Sequence, residues 1–147
     1  MQKKLTLTQQ AYENLLAHLV DFEERRKHII MLYFPEYNSQ RVEFEVLIDD
    51  YISALDDVVR NVSFSDKSGN DFPFVCLNSV IEVEDVENTE TFNYMLILPE
   101  ANDYGTNCIT ILSPMGKALL CKKDGETVSV NTPSGVYRYR IKSIKLQ

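Results

Sequence analysis

The sequence predicts an α+β protein. An N-terminal antiparallel helical hairpin (a coiled coil) with its linker occupies residues 1–70, and residues 71–147 form an antiparallel β-sheet domain with one short helix. Three observations carry this prediction. In the first half apolar residues recur at spacings of three, four and seven, the signature of a helical stripe. From Val75 onward the period falls to two, as in strands with one buried face. Among those strands sits Ser113-Pro114, a helix start followed by Ala118, Leu119 and Leu120.

The first stripe is Tyr12, Leu15, Leu16, Leu19, Phe22, Ile29, Ile30 and Tyr33, with Thr8 as N-cap. No Gly or Pro interrupts it before Pro35, so it predicts one helix from Gln9 to Phe34, roughly 38 Å long at 1.5 Å per residue. Pro35 biases Phe34 away from the helical region and ends it. The second stripe, Phe44, Ile48, Ile52 (with Tyr51), Leu55, Val59 (with Val58) and Val62, predicts a helix over Gln40–Val62, capped by Asn38 or Ser39. Two long helices joined by a short turn are antiparallel neighbours. The stripes are narrow and the segments heavily charged, which favours a protruding hairpin over one packed down on the second half.

Ser63–Phe72 reads as a polar linker. Strands are predicted over Val75–Glu84 (Val80, Ile81 and Val83 mostly inward), Thr91–Leu98, Cys108–Leu112, Glu126–Asn131 and Val136–Lys145. The connections are an acidic turn at Asp85–Glu90, a loop at Pro99–Thr106 and a turn at Thr132–Gly135. Between the third and fourth strands Ser113 caps a short helix, Pro114 occupies its first position, and Lys122 and Lys123 suit its negative C-terminal end. Asp124-Gly125 turns the chain into the next strand.

Composition narrows the function classes. The 147 residues hold 44% apolar and 25% charged residues, which suits a soluble globular protein. There is no apolar run long enough for a membrane helix and no signal-peptide pattern, so the expected location is cytoplasmic with no membrane partner. The net charge of −7 is spread over both halves and leaves no basic stripe, which argues against direct sequence-specific DNA binding. A partner with a basic surface fits better. Cys76, Cys108 and Cys121 are odd in number and lack metal spacing, and each is read as a buried structural thiol. His18 and His28 read as structural. Tyr137 and Tyr139 alternating with Arg138 and Arg140 suggest either a nucleic-acid stacking face or, as preferred here, a strand with one aromatic and one basic face.

The run Ser113-Pro114-Met115-Gly116-Lys117-Ala118-Leu119-Leu120-Cys121-Lys122-Lys123-Asp124-Gly125-Glu126-Thr127-Val128, followed by Asn131-Thr132-Pro133-Ser134-Gly135-Val136, resembles the C-terminal domain of the bacterial GreA/GreB transcript cleavage factors. Their pattern there is SPIxxALxGKxxGDxVxxxTPGG. Cys121 stands where the family has Gly, and Ser134 replaces the first Gly of the TPGG turn. Leu7–Leu15 and Arg25–Ile30 resemble the start of the family's coiled-coil hairpin. The resemblance implies an FKBP-like C-terminal domain and binding to RNA polymerase. On this reading the C-terminal domain docks at the rim of the polymerase secondary channel, through Ser113, Pro114, Met115, Lys117, Thr132 and Pro133, and the hairpin enters the channel. The protein would be a monomer that meets nucleic acid only indirectly, through the elongation complex.

In the family, acidic residues at the hairpin tip help hold a catalytic metal in the polymerase, so that backtracked RNA is hydrolysed. The tip here, Phe34-Pro35-Glu36-Tyr37-Asn38-Ser39, departs from that pattern. The candidate tip carboxylates are Glu36, Glu43 and Glu45, toward a Mg²⁺ shared with the polymerase. The hairpin is also shorter than the family's by roughly 11 Å, about two helical turns. A short hairpin with the same C-terminal fold is similar to the Rnk type, and with the changed tip it implies a polymerase-binding regulator without efficient transcript cleavage, not an enzyme in its own right. The alternatives are an active cleavage factor using those carboxylates and, on fold likeness alone, a peptidyl-prolyl isomerase.

Overall fold

The computed structural model describes residues 5–99 and 107–146. The chain divides into two compact units, Met1–Ser68 and Gly69–Gln147.

The first unit is the hairpin. Helix α1 spans Gln9–Tyr33 and α2 spans Ser39–Arg60. Thr8 Oγ1 accepts from the Ala11 amide at 3.2 Å and Asn38 Oδ1 from the Arg41 amide at 3.0 Å, so each helix starts on a side-chain cap. The buried side chains of α1 are Ala11, Leu15, Leu19, Phe22, Ile29 and Ile30, and those of α2 are Phe44, Ile48, Tyr51 and Leu55. The steps of three and four keep both seams facing each other, as in a coiled coil. An aromatic cluster fills the middle: Phe22 meets Tyr51 edge-on at 5.5 Å, and His18 Nε2 lies 2.8 Å from Tyr51 Oη. Arg26 reaches across to Asp49 with two hydrogen bonds, at 2.5 and 3.0 Å.

The base of the hairpin differs from expectation. Leu5–Leu7 forms a strand, β1, paired in parallel with β2, Val62–Phe64. The segment read as the start of a linker is therefore paired. The Ser65 amide donates to Leu7 O at 2.9 Å, Ser68 Oγ donates to Thr6 O at 2.8 Å, and Tyr12 packs edge-on against Phe64 at 4.9 Å.

The second unit is a five-stranded sheet of β3 (Ser79–Asp85), β4 (Thr91–Ile97), β5 (Cys108–Thr110), β6 (Thr127–Thr132) and β7 (Gly135–Leu146), in the order β5-β4-β3-β7-β6. Three of the pairings are antiparallel and the β4–β5 pair is parallel. The short helix α3, Pro114–Leu119, packs beside β6. Ile81, Val83, Leu96, Val128, Val130, Ile141 and Ile144 form the buried face.

Three local expectations are corrected. The strand predicted from Val75 begins at Ser79, because the Val75 amide donates to Lys122 O (2.8 Å) and its carbonyl accepts from the Cys121 amide (3.0 Å), outside the main sheet. Val80 is half-buried while Ile81 and Val83 are buried, since neighbouring residues of a strand face opposite sides. Of the three cysteines only Cys76 is buried; Cys108 lies on the short edge strand and Cys121 follows α3. Burial pushes the Cys76 thiol up to about 12, so it stays protonated and unreactive. The loop predicted over Pro99–Thr106 falls from residue 100 outside the described residues. Among the described residues, no helix is long and apolar enough to cross a membrane.

Candidate functional site

Two groups of residues were singled out from the sequence, one at the hairpin apex and one around α3. The apex is closed by local chemistry. The Phe34 amide donates to Ile30 O at 2.9 Å as α1 ends, and the Phe34 ring packs on Phe44 at 4.8 Å, joining the two helix ends. Pro35, Glu36 and Tyr37 then turn the chain to Asn38, the cap of α2. Glu36 is exposed on this turn.

The other two candidate carboxylates diverge. Glu43 and Glu45 are two residues apart on α2, about 200° around a helix that advances about 100° per residue. Glu43 is exposed, whereas Glu45 Oε1 accepts from Arg41 Nε at 3.0 Å. The Arg41 guanidinium also lies 5.6 Å from the centre of the Tyr37 ring, a cation–π geometry. A hard divalent cation needs several oxygens converging on one point. Among the described residues no group of three or more His, Cys, Asp or Glu is placed to hold a metal. Glu36, Glu43 and Glu45 therefore do not fit a resident Mg²⁺.

Arg41 and Tyr37 are the apex residues that sequence reasoning passed over. The Arg-x-x-x-Glu spacing from Arg41 to Glu45 was a readable signal for an i,i+4 pair. The position of Tyr37 over that guanidinium was not readable, because it depends on the turn.

Around α3, Ser113 Oγ accepts from the Gly116 amide at 3.0 Å and donates to Thr110 O at 2.8 Å. The cap thus ties the helix start to the end of β5. Pro114 and Lys117 are exposed and Met115 is half-buried beside them. Gly116 is buried against the Thr110 backbone, where a Cβ would overlap the carbonyl oxygen. Thr132 and Pro133 sit at the β6–β7 turn, held by Thr132 Oγ1 donating to Gly135 O at 2.9 Å and lying 3.1 Å from Ser134 Oγ. α3 lies along β6: Lys117, Ala118 and Lys122 border a polar groove with Thr127, Val128 and Ser129. The site residues of α3 and of the turn are thus carried by adjoining elements.

The remaining candidates resolve into structure. Arg138 Nε is 2.9 Å from Glu87 and Arg140 Nη2 is 2.7 Å from Glu84, while Tyr137 and Tyr139 are half-buried. The strand has one aromatic and one ion-paired face, so its guanidiniums are already engaged. His18 sits in the hairpin seam and His28 is exposed on α1.

Comparison with known proteins fits this architecture. The family model described as "Transcription elongation factor, GreA/GreB, C-term" matches residues 70–146. The transcription elongation factor GreA of Syntrophobacter fumaroxidans is 32% identical over 123 residues, covering 84% of this chain and 78% of that protein. The GreA of Chloroherpeton thalassium is 26% identical over 159 aligned positions that cover both chains in full. The solved structure of a prokaryotic transcription elongation factor GreA/GreB from Nitrosomonas europaea superposes with a TM-score of 0.53 at 22% identity, covering 97% of this chain and 99% of that chain, and so shares the fold. With a helical hairpin followed by a matched C-terminal domain, this chain belongs to the GreA/GreB family of transcription elongation factors.

Proposed function

We propose that this protein is a transcription elongation regulator that binds RNA polymerase at its secondary channel and does not promote efficient transcript cleavage. Family membership supports the first part. One observation carries the second: the apex carboxylates are dispersed, and Glu45 is already paired with Arg41. Carboxylate-assisted hydrolysis requires oxygens converging on the cation that activates water. Here Glu36 stands alone on the turn, and Glu43 points about 200° away from Glu45 around α2.

In this reading the division of labour follows the two units. The C-terminal domain docks through Ser113, Pro114, Met115 and Lys117 on α3 and through Thr132 and Pro133 on the adjoining turn. The cap on Thr110 and the closed β6–β7 turn keep those groups rigid, so little ordering entropy opposes docking. The hairpin occupies the channel as an insert, and contact with nucleic acid is indirect.

The test uses purified cognate polymerase and a stalled, backtracked elongation complex. Binding is expected, along with competition against a cleavage-active GreA for the same complex. RNA release is expected to stay at the level of polymerase alone. Absence of binding removes the first part; release that rises with this protein and falls in Glu36→Ala removes the second.

A further inference from the structure

We infer that the aromatic end of the C-terminal sheet's inner face, formed by Phe92, Tyr94, Tyr137 and Tyr139 beside Asp85, binds an arginine side chain carried on a segment of a partner protein. This is a surface other than the α3 and turn residues proposed for polymerase docking, and its test needs no polymerase.

Strand register assembles the face. Directly opposed residues of neighbouring strands project to the same side of a sheet. Phe92 is opposite Val83, Tyr94 is opposite Ile81, Tyr139 is opposite both Asp85 and Val128, and Tyr137 is opposite Val130. Ile81, Val83, Val128 and Val130 all belong to the buried face. The four rings therefore stand on the core side of the sheet, yet each is only half-buried. Arg138 and Arg140 alternate with the two β7 tyrosines, so they and their carboxylate partners lie on the other side.

The chemistry of the face selects a cation. Ring faces carry negative potential, and a guanidinium within about 6 Å of a ring centre is attracted to it. Phe92 and Tyr94 lie nearly parallel, at 21° with centres 6.0 Å apart. Among the described residues neither Tyr94 Oη nor Tyr139 Oη has a hydrogen-bond partner, so both are available as acceptors. Asp85 is 7% exposed. Its Oδ1 accepts from the Glu87 and Asn88 amides at 3.0 and 3.3 Å, and its Oδ2 accepts from Asn88 Nδ2 at 3.2 Å. These bonds account for its place in the turn, but every donor is neutral. Among the described residues no Lys, Arg or His pairs with it, so its charge stays uncompensated beside Tyr139. The groups also act on one another: burial first, then Tyr94, Asp85 and Tyr137, hold the Tyr139 phenol above its usual range.

An apolar ligand would cover that carboxylate without offsetting its charge, at a desolvation cost. Stacked nucleotide bases would bring phosphate toward it, in a chain whose net charge is already −7. A cation avoids both penalties. Arginine suits the face better than lysine, because a planar guanidinium stacks on a ring while its N–H groups reach phenol oxygens. Since every ring stays half exposed, the face suits a side chain presented on a peptide rather than an enclosed free amino acid.

The experiment titrates the isotope-labelled full chain with a capped Gly-Ser-Arg-Ser-Gly peptide and follows amide and tyrosine-ring NMR signals. Comparison peptides replace the arginine by citrulline, which keeps the shape and removes the charge, or by proline; an oligothymidine is a further arm. The arginine peptide is expected to shift β4 and β7 signals around Phe92, Tyr94 and Tyr139 saturably, and to bind roughly fivefold or more tighter than the citrulline peptide. Tyr94→Leu and Tyr139→Leu are each expected to weaken it about threefold or more, while Tyr94→Phe and Tyr139→Phe, which keep the ring, stay closer to the parent. Asp85→Asn keeps the turn acceptor and is expected to weaken it as well. Thermal melts matching the parent establish that a variant is folded, and the citrulline comparison on the parent protein decides the matter where one is not. Absence of a saturable shift on these strands, equal binding of the citrulline peptide, or unchanged affinity in folded Leu variants overturns the proposal. Tighter binding of the proline peptide or of oligothymidine at the same signals assigns the face to another ligand and overturns it too. None of these outcomes bears on polymerase binding, so the two readings fail separately.

Discussion

Arg41 Nε donates to Glu45 Oε1 at 3.0 Å, one turn apart on α2, so this carboxylate near the apex is already engaged by a cation of its own helix. As an i,i+4 pair on a helix it contributes roughly 0.3–0.5 kcal/mol to stability. A double-mutant cycle of Arg41→Ala with Glu45→Ala in urea denaturation is expected to return a coupling of that size. The functional consequence is larger. In Glu36→Ala/Glu43→Ala/Glu45→Ala, RNA release from a backtracked complex is expected to equal that with the parent protein, as the proposed non-cleaving role requires. A drop of tenfold or more in gel-resolved release assays contradicts this.

Gly116 predicts the sharpest structural response in the C-terminal domain. Its backbone lies on the Thr110 carbonyl, so a methyl group cannot enter without moving α3 away from β5. Gly116→Ala gains helix propensity, worth about 1 kcal/mol, yet overpacking against rigid backbone costs about 1–3 kcal/mol. The net expectation is a destabilised domain, by up to about 2 kcal/mol in urea denaturation. A variant as stable as the parent protein shows that α3 can shift freely. Gly69, with nothing within 4 Å of its Cβ position, is the control, and Gly69→Ala is expected to be near neutral.

What the sequence made legible was local. The seams of α1 and α2 repeat every three or four residues, so Leu15, Leu19, Phe22, Phe44, Ile48 and Tyr51 announced the hairpin without knowledge of their partners. Ser113 and Pro114 announced α3 for the same reason: capping is settled within four residues. The parallel pairing of Leu5–Leu7 with Val62–Phe64 joins segments more than 50 residues apart, and each alternates over only three residues, too short to signal a strand. The parallel β4–β5 pair and the detour of Val75 to Cys121 were hidden likewise, because strand partners are chosen by tertiary packing. At the apex the carboxylates were visible in the sequence, but their dispersal was not, since it depends on helix phase and on Arg41.

Cys121 is the clearest case in which a departure from the family pattern has a physical cost. It adopts φ +68°, in the left-handed region, immediately after the C-cap of α3. Glycine enters that region without a Cβ penalty, while other L-residues pay roughly 1–2 kcal/mol. Cys121→Gly is expected to stabilise the C-terminal domain by up to about 1 kcal/mol, because the extra freedom of glycine in the unfolded chain offsets part of the relief. Cys121→Val, β-branched, is expected to destabilise it by about 1–2 kcal/mol. Urea midpoints measured under reducing conditions decide it, and a Val variant more stable than the Gly variant would falsify the strain account.

Burial of His18 makes the hairpin sensitive to acid. It sits in the seam against Phe22 with Nε2 2.8 Å from Tyr51 Oη, and burial lowers its pKa from 6.5 to about 4, opposed by the nearby Asp21 carboxylate. The folded hairpin therefore prefers the neutral imidazole. Its contribution is fully present above pH 6.5, where the unfolded chain is also neutral. It declines as pH falls from 6.5 toward 4, because the unfolded chain takes up a proton that the folded chain refuses. At about 1.4 kcal/mol per pH unit, the gap corresponds to a loss of roughly 3 kcal/mol by pH 4. His18→Gln keeps a polar partner near Tyr51 and removes the titration. Its stability is expected to be lower than the parent's at pH 7 and to fall less steeply between pH 6.5 and 4. Thermal melts of both proteins at half-unit pH steps give the two slopes, and parallel slopes exclude His18 as the titrating group.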